Sequence, residues 1–221
     1  MRVPLVTLAV VTLVHLVAQA AAPGGVAADL TQVLFMPALA WVLITSTHDP
    51  KSRLVRLVLV ALGLSWLGDT LPRFADDGSD LGFGLMLGAF LLAQLAYVAA
   101  FLPFASRSIL RTRRELLALY AVAFILLIAV TAGGAGSLLP AVGVYGLAII
   151  AMAVLATGID RVAAIGAIVF LVSDALIALR AFADLELPLH SVAVMLTYVV
   201  GQTLLVVAVA HHDRAVAAQQ A

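Results

Sequence analysis

Long uninterrupted apolar runs are the feature that most constrains this chain. Eight of them can be drawn, each about 17–24 residues long, which is the length that a helix needs to cross a bilayer. Apolar and polar residues do not alternate inside the runs, so they are predicted to be helices rather than strands. A backbone in lipid must satisfy its own hydrogen bonds, which leaves helices or closed barrels. The chain is therefore predicted to be an all-α polytopic membrane protein with eight transmembrane helices.

The predicted runs are Val3–Ala22, Val26–Thr47, Leu54–Leu71, Leu81–Phe104, Leu116–Ala132, Leu138–Thr157, Val162–Phe182 and Leu189–Ala210. The loops between them are short, and the Gly133–Gly136 stretch is interpreted as one of these loops. No hydrophilic stretch is long enough to fold separately. Residues 1–221 are therefore predicted to form a single transmembrane domain.

Composition supports this class and excludes several functions. The chain is 64% hydrophobic and 11% charged, whereas soluble domains are about 45–50% apolar and about 25% charged. Its formal net charge is zero, which gives no reason to expect a nucleic-acid partner. With no cysteine, disulfides, thiolate metal sites and a cysteine nucleophile are excluded. Four of the five histidines lie at run edges, and the His211-His212-Asp213 stretch is interpreted as a polar tail, so neither a metal site nor a cofactor is expected.

The first run has two interpretations. Arg2, the apolar stretch and Ala18-Gln19-Ala20 together resemble a cleavable secretory signal. The apolar part is longer than the usual 7–15 residues of such a signal. A retained first helix is therefore expected.

Basic residues predict the orientation. With eight crossings, ten of the twelve lysines and arginines fall on one side, and only Arg73 and Arg180 fall on the other. Cytoplasmic loops are enriched in Lys and Arg. Both termini are therefore predicted to be cytoplasmic, in a multi-pass protein of the plasma membrane.

An internal repeat is also visible. The carboxylate Asp69 is followed by R-F-A-D and Asp174 by R-A-F-A-D, at residues 73–76 and 180–184. Each unit then continues into a helix that carries one Tyr and one Gln near its middle. These matches predict two parallel four-helix repeats, residues 1–106 and 107–221, related by an axis along the membrane normal.

Asp69 and Asp174 are the candidate catalytic residues. Each lies inside an apolar run, where an acidic side chain costs roughly 2.5–3.5 kcal/mol on insertion scales. Both are expected in the same half of the bilayer, and the repeat would bring them face to face across a central cavity. Two close carboxylates in a dry site do not easily both ionise, so one is expected to keep its proton. The alternative is a hydrogen-bonded pair that only joins helices.

Other polar side chains at similar depth are candidate substrate-binding residues: Ser65, Gln94, Tyr97, Tyr145, Ser173, Tyr198 and Gln202. For the Tyr and Gln residues the alternative is hydrogen bonding between helices. For the two serines it is a bond to their own helix backbone. His15 is expected to be packed and neutral.

These motifs together resemble the YhhN/TMEM86 family of eight-helix membrane proteins. The resemblance rests on S-W-L-G-D at 65–69, G-A-F at 88–90 leading to Gln94 and Tyr97, F-L-V-S-D at 170–174, and Tyr198 followed by Gln202. Two positions depart from the family pattern, since Gln94 stands where a His is usual and Met36 stands where a Lys usually precedes the Pro. Characterised members are lysoplasmalogenases, which are ether hydrolases that release a fatty aldehyde and a glycerophospho-headgroup. The resemblance implies a lysophospholipid substrate and matches Asp69 and Asp174 to the family's acidic positions.

Two carboxyl groups suit this reaction chemically. Acid protonates the enol-ether carbon, an anion stabilises the resulting oxocarbenium ion, and a base activates water, as in glycosidases. Asp174, nearer the midplane and expected to be less solvated, is predicted to be the acid, and Asp69 the anion and base, although the reverse assignment stays open. The competing functions are a proton-coupled small-molecule carrier and a catalytically silent lipid-binding protein.

Overall fold

The structure is a computed structural model that describes residues 2–75 and 80–220. In these two ranges the secondary structure is helical, with no strand. The α-helices are α1 Arg2–Ala21, α2 Val26–Gln32, α3 Phe35–Ser46, α4 Arg53–Thr70, α5 Asp80–Phe101, α6 Ile109–Thr112, α7 Leu117–Ala135, α8 Leu139–Ala156, α9 Arg161–Ala183 and α10 His190–Gln220. Short 3₁₀ turns follow α4, α5 and α7 and precede α7.

Helical segments of bilayer length confirm the predicted class. In the described part of the chain, seven segments are long and apolar enough to cross a membrane, with mean hydropathy between 1.7 and 2.5. Large apolar side chains are exposed along α1 and α7, as on a surface that faces lipid tails. The protein is an all-α polytopic membrane protein.

One of these segments, Arg114–Ala156, is 43 residues long and contains both α7 and α8. Between the two helices the backbone turns at Gly136, whose φ is +49°, a value that favours glycine. A Cβ added to Gly146 in α8 would lie 2.7 Å from the ring of Phe124 in α7, so the two helices pack against each other. The count of eight crossings stays a prediction.

The second predicted run, Val26–Thr47, is not one helix. α2 ends at Gln32, a turn occupies residues 33 and 34, and α3 begins at Phe35. The break leaves the Val33 carbonyl available, and the indole Nε1 of Trp66 in α4 donates to it at 3.0 Å. A distant partner on another helix therefore stabilises the interruption.

The Gly133–Gly136 stretch is mostly helix, so its interpretation as a loop was wrong. α7 continues to Ala135, and only Gly136 turns. A Cβ on Gly134 would overlap the carbonyl oxygen of Phe182 in α9. Glycine is needed at Gly134 because the backbones of α7 and α9 approach each other closely there.

The stretch that begins at His211 is not a polar tail either. α10 continues to Gln220, and the Asp213 carboxylate is buried beside the start of α4. It accepts hydrogen bonds from the His48 backbone N–H at 3.1 Å and from the Ser52 hydroxyl at 2.8 Å. The side chain of Ser52 in turn caps α4 by accepting from the Val55 N–H. Asp213 thus ties the end of the chain to the α3–α4 connection.

Each candidate carboxylate sits on a helix that packs mainly against the helix that follows it: α4 on α5, and α9 on α10. Small residues allow this for α9 and α10, because a Cβ on Gly201 would lie 2.7 Å from the Phe170 backbone nitrogen. The matching arrangement is compatible with two repeats, which stay a prediction. Asp76, part of the first repeat motif, lies outside the described residues.

Candidate functional site

A chamber of about 780 Å³ opens between the helices at the end of the molecule where α4 terminates. Both Asp69 and Asp174 line it, together with Gln32, Arg73 and Tyr198. α4 and α9 themselves have no extensive packing contact in residues 2–75 and 80–220. Asp69 and Asp174 therefore line the same chamber although their helices, α4 and α9, do not pack closely against each other.

Asp69 lies in the last turn of α4 and is tightly held. Its Oδ1 accepts from the Gln32 amide at 2.9 Å, and its Oδ2 accepts from the Tyr198 hydroxyl at 2.9 Å. Gly68 beside it has no Cβ, which would otherwise lie 2.7 Å from the Phe90 ring that packs there. Each of these hydrogen bonds favours the charged form of the carboxylate, whereas the burial of Asp69 opposes the charge.

Arg73 joins this group from the 3₁₀ turn that follows α4. Its Nε donates to the Asp69 backbone carbonyl at 3.0 Å, and its Nη2 donates to Oε1 of Gln32 at 2.9 Å. Its Nη1 forms an ion pair with Asp29. The guanidinium therefore orients the same Gln32 that holds Asp69.

Asp174 has a different environment. It is half-buried on α9 and accepts a hydrogen bond from the Tyr145 hydroxyl of α8. A pocket of about 50 Å³ adjoins both side chains, and Phe83 and Phe90 line both this pocket and the chamber. That volume is enough for a water molecule, which needs polar partners such as these two groups.

Asp174 and Tyr145 also border an apolar groove of about 710 Å³ between α7, α8 and α9. Its walls are almost entirely aliphatic and aromatic, from Leu116 and Ile128 on one side to Leu179 on the other. The groove extends along α8 from Tyr145 to Thr157, about 18 Å along the helix axis. A hydrocarbon chain fits a channel of this character and length.

Ser65, Tyr97 and Gln202 lie apart from these cavities. The Tyr97 hydroxyl donates to Gln202 Oε1 at 2.5 Å, and the Gln202 amide donates to the Ser65 hydroxyl at 3.3 Å. All three are fully buried, and none lines the chamber, the pocket or the groove. This closed cluster joins α4, α5 and α10 and matches the alternative of hydrogen bonding between helices.

Ser173 and Gln94 complete the predicted set. Ser173 lines the chamber and donates to the Val194 carbonyl of α10 at 2.9 Å, so a bond to its own helix was the wrong alternative. Gln94 is fully buried near the Tyr145 hydroxyl, and neither atom of its amide has a hydrogen-bond partner of regular geometry among the described residues. It lines none of the chamber, the pocket and the groove, so no cavity connects its amide to a substrate.

The two remaining positions singled out in the sequence are structural. His15 is fully buried and its Nδ1 lies 2.9 Å from the Thr31 hydroxyl and 3.0 Å from the Ala28 carbonyl, which joins α1 to α2. Met36 is buried in the hydrophobic core.

Sequence reasoning missed Asp29, Gln32 and Arg73 as site residues. A signal existed, because Asp29 and Gln32 are polar positions inside an otherwise apolar run. Among the described residues no group of three His, Asp or Glu side chains is arranged to hold a metal ion.

A search of curated proteins and a search of solved structures each gave no match. The family model described as "YhhN family" matches residues 27–209, which is most of the chain and includes both candidate carboxylates. The chain belongs to the YhhN family.

Proposed function

We propose that this protein is a membrane-embedded ether hydrolase that cleaves the vinyl-ether bond of a lysoplasmalogen-type lysophospholipid. One observation carries the proposal: Asp174 lies where the polar chamber meets the apolar groove. A single-chain lipid has the same division, with its vinyl-ether bond between the hydrocarbon chain and the polar part. Family membership supports the same activity.

In this mechanism Asp174 gives its proton to the enol-ether carbon that is farther from oxygen. The resulting oxocarbenium ion is stabilised by the Asp69 carboxylate, whose two oxygens are held in place by the Gln32 and Tyr198 donors. Water then adds to the cationic carbon and loses a proton to a carboxylate. The hemiacetal then gives its hydroxyl proton to the other carboxylate as its carbon–oxygen bond to glycerol breaks, and the glycerol oxygen takes the proton that the first carboxylate received from water. The products are an aldehyde and a glycerophospho-alcohol.

The other polar groups have positioning roles in this proposal. Tyr145 orients Asp174, and the pocket beside them supplies a place for the attacking water. Tyr198 and Ser173 line the chamber where the glycerol oxygens would lie. The steps require no metal and no organic cofactor.

The direct test is release of fatty aldehyde from a lysoplasmalogen by the purified protein in detergent, with Asp69→Asn and Asp174→Asn alongside. Asp49→Asn is the matched control, because Asp49 is exposed in the α3–α4 connection. Release by the parent and the control, but by neither site variant, is the expected result. No release from a folded parent, or undiminished release by both site variants, would contradict the proposal.

The competing carrier has less support. Transporters of the repeat type usually break helices at matching positions in both halves. In the described ranges the α2–α3 segment is interrupted, whereas its counterpart α8 is continuous. Proton-dependent uptake of a solute into proteoliposomes would favour the carrier.

The proposal also includes eight crossings with both termini in the cytoplasm, in the plasma membrane. A single crossing by 43 residues would extend about 65 Å, more than twice the hydrocarbon thickness. The turn at Gly136 and the packing of Phe124 on Gly146 support two crossings instead.

The chain has no cysteine, so single-cysteine variants can be labelled at one known position. Ser137→Cys should react with a membrane-impermeant thiol reagent added outside, and Arg113→Cys should react only when the reagent is inside. Labelling of both variants from the same side would contradict two crossings.

A further inference from the structure

Beside the chamber lies a second cavity, of about 400 Å³, which we call the vestibule. Its polar lining comes from Gln19 of α1, Arg180 of α9, and His190 and Ser191 of α10. The vestibule and the chamber share wall residues, among them Met86 and Ala181, so the two cavities adjoin. None of these polar groups has a part in the proposed chemistry.

His190 is the informative residue. It is only 3% exposed, and its Nδ1 accepts a hydrogen bond from the Leu187 backbone N–H at 3.2 Å. A backbone N–H can only donate, so Nδ1 carries no proton and Nε2 must carry it. That Nε2–H is buried and has no partner among the described residues. A buried donor without an acceptor is costly, which indicates that a ligand atom or water satisfies it.

The other two groups are donors as well. The Gln19 side chain is 7% exposed, and its Oε1 accepts from the Gly24 N–H at 3.3 Å, which leaves the amide NH₂ to donate. The Arg180 guanidinium donates to the Ser191 hydroxyl at 3.3 Å and lies 3.6 Å from Glu186. Both members of that ion pair are more than half exposed, so the pair is weak and leaves donors free.

We propose that Gln19, Arg180 and His190 form a binding site for the phosphate group of the substrate headgroup. Three N–H donors, one of them cationic, match the acceptor oxygens of a phosphate. The position is also suitable, because a headgroup in the vestibule leaves the rest of a single-chain lipid to pass through the chamber toward Asp174 and the groove. This inference rests on the proposed lysophospholipid substrate and adds the part of it that the protein recognises.

Binding can be tested without hydrolysis. The probes are a radiolabelled single-chain glycerophosphoethanolamine with a saturated ether, which the proposed acid chemistry does not cleave, and the matching alkyl glycerol without phosphate. Retention of each lipid by the full-length protein in detergent gives two dissociation constants. We expect the parent protein to bind the phosphate-bearing lipid at least about tenfold more tightly than the alkyl glycerol. Equal affinity for the two lipids would overturn the proposal, whether or not the protein has hydrolase activity.

Two variants locate that preference. His190→Phe keeps an aromatic ring without the donor, and Arg180→Gln removes the charge from a side chain that is more than half exposed. Each should reduce the phosphate preference by about threefold to tenfold and leave alkyl-glycerol binding unchanged. Arg161→Gln, the same change at the other end of α9, is the control and should keep the preference. The assignment would be overturned if folded Arg180→Gln and folded His190→Phe both kept the preference for the phosphate-bearing lipid. It would also be overturned if the control Arg161→Gln lost that preference.

The source of the phosphate is decided by competition with soluble glycerophosphoethanolamine. Displacement of the lipid only at concentrations far above its own dissociation constant supports a lipid headgroup as the occupant. Displacement at a similar concentration would overturn the lipid assignment, because the site would then bind a soluble phosphodiester without help from the hydrocarbon chain.

Discussion

Asp69 and Asp174 lie at corresponding positions of the two predicted repeats, yet they differ in burial and in hydrogen bonding. Asp69 is 6% exposed and accepts hydrogen bonds from two side chains. Asp174 is half-buried, accepts from Tyr145, and borders the chamber, the small pocket and the groove. The comparison shows that two carboxyl groups in similar sequence contexts become a tightly held group and an accessible group, because different helices surround them.

This difference revises the reason for choosing Asp174 as the acid. Sequence reasoning expected it to be less solvated because it is nearer the middle of its helix, but Asp69 is the more buried of the two. Asp174 is instead proposed as the acid because it alone of the two borders the groove.

The largest expected effect separates the two roles. Asp69→Ala and Asp174→Ala should each lower turnover by about 10²–10⁴-fold, which is the usual contribution of a positioned acid or base. Added formate should restore part of the activity of Asp69→Ala, because a small anion can replace a held carboxylate. Aldehyde release with and without formate is the measurement. Rescue of Asp174→Ala alone would reverse the two assignments.

The second-largest expected effect is a change in KM caused by filling the apolar groove. Ala175→Phe places a large side chain in it and should raise KM for long-chain substrates by about tenfold, since about two displaced methylenes cost about 0.8 kcal/mol each. Short-chain substrates should be unaffected. Val172→Phe is the control, because Val172 is 42% exposed on the same helix and does not line the groove. Equal effects of the two variants would contradict a hydrocarbon site there.

The Tyr145 and Tyr198 hydroxyls, which donate to Asp174 and Asp69, give a smaller expected effect on the difference between the two carboxyl groups. Tyr145→Phe removes the donor to Asp174 and should lower kcat about tenfold. Tyr198→Phe should lower it only about threefold, because Gln32 still holds Asp69. Steady-state kinetics of the two variants make the comparison. A larger loss in Tyr198→Phe would mean that Asp69 is the more weakly supported group.

The smallest expected catalytic effect concerns the closed cluster. Tyr97→Phe removes one buried interhelical hydrogen bond and should cost about 0.6–1.7 kcal/mol of stability, the range for such bonds in membranes. kcat and KM should change less than about twofold if the cluster is structural. Thermal unfolding in detergent and kinetics on the same sample measure both. A changed KM at unchanged stability would return Tyr97 to the substrate-binding residues that the sequence predicted.

Much of the site followed from local properties of the chain. Asp69 and Asp174 were identified because a carboxylate in an apolar run is costly whatever its neighbours are. Tyr145, Tyr198 and Ser173 were named as polar positions at the right depth, and each lines a cavity with one of these carboxylates. Gln32 and Arg73 were missed because their importance lies in a contact across a helix break, and a break depends on partners such as Trp66.

The sequence by itself determined that this is a helical membrane protein with two carboxylates inside apolar segments, because hydropathy and helix length are properties of single segments. Its short motifs, rather than its hydropathy, indicated the YhhN family. Only the tertiary structure decided which polar side chains face a cavity and which are sealed between helices. Ser65 and Asp69 share one face of α4, yet one joins the closed cluster and the other lines the chamber. The physical reason is that helix rotation and separation are set by side-chain packing between helices, which no single segment encodes.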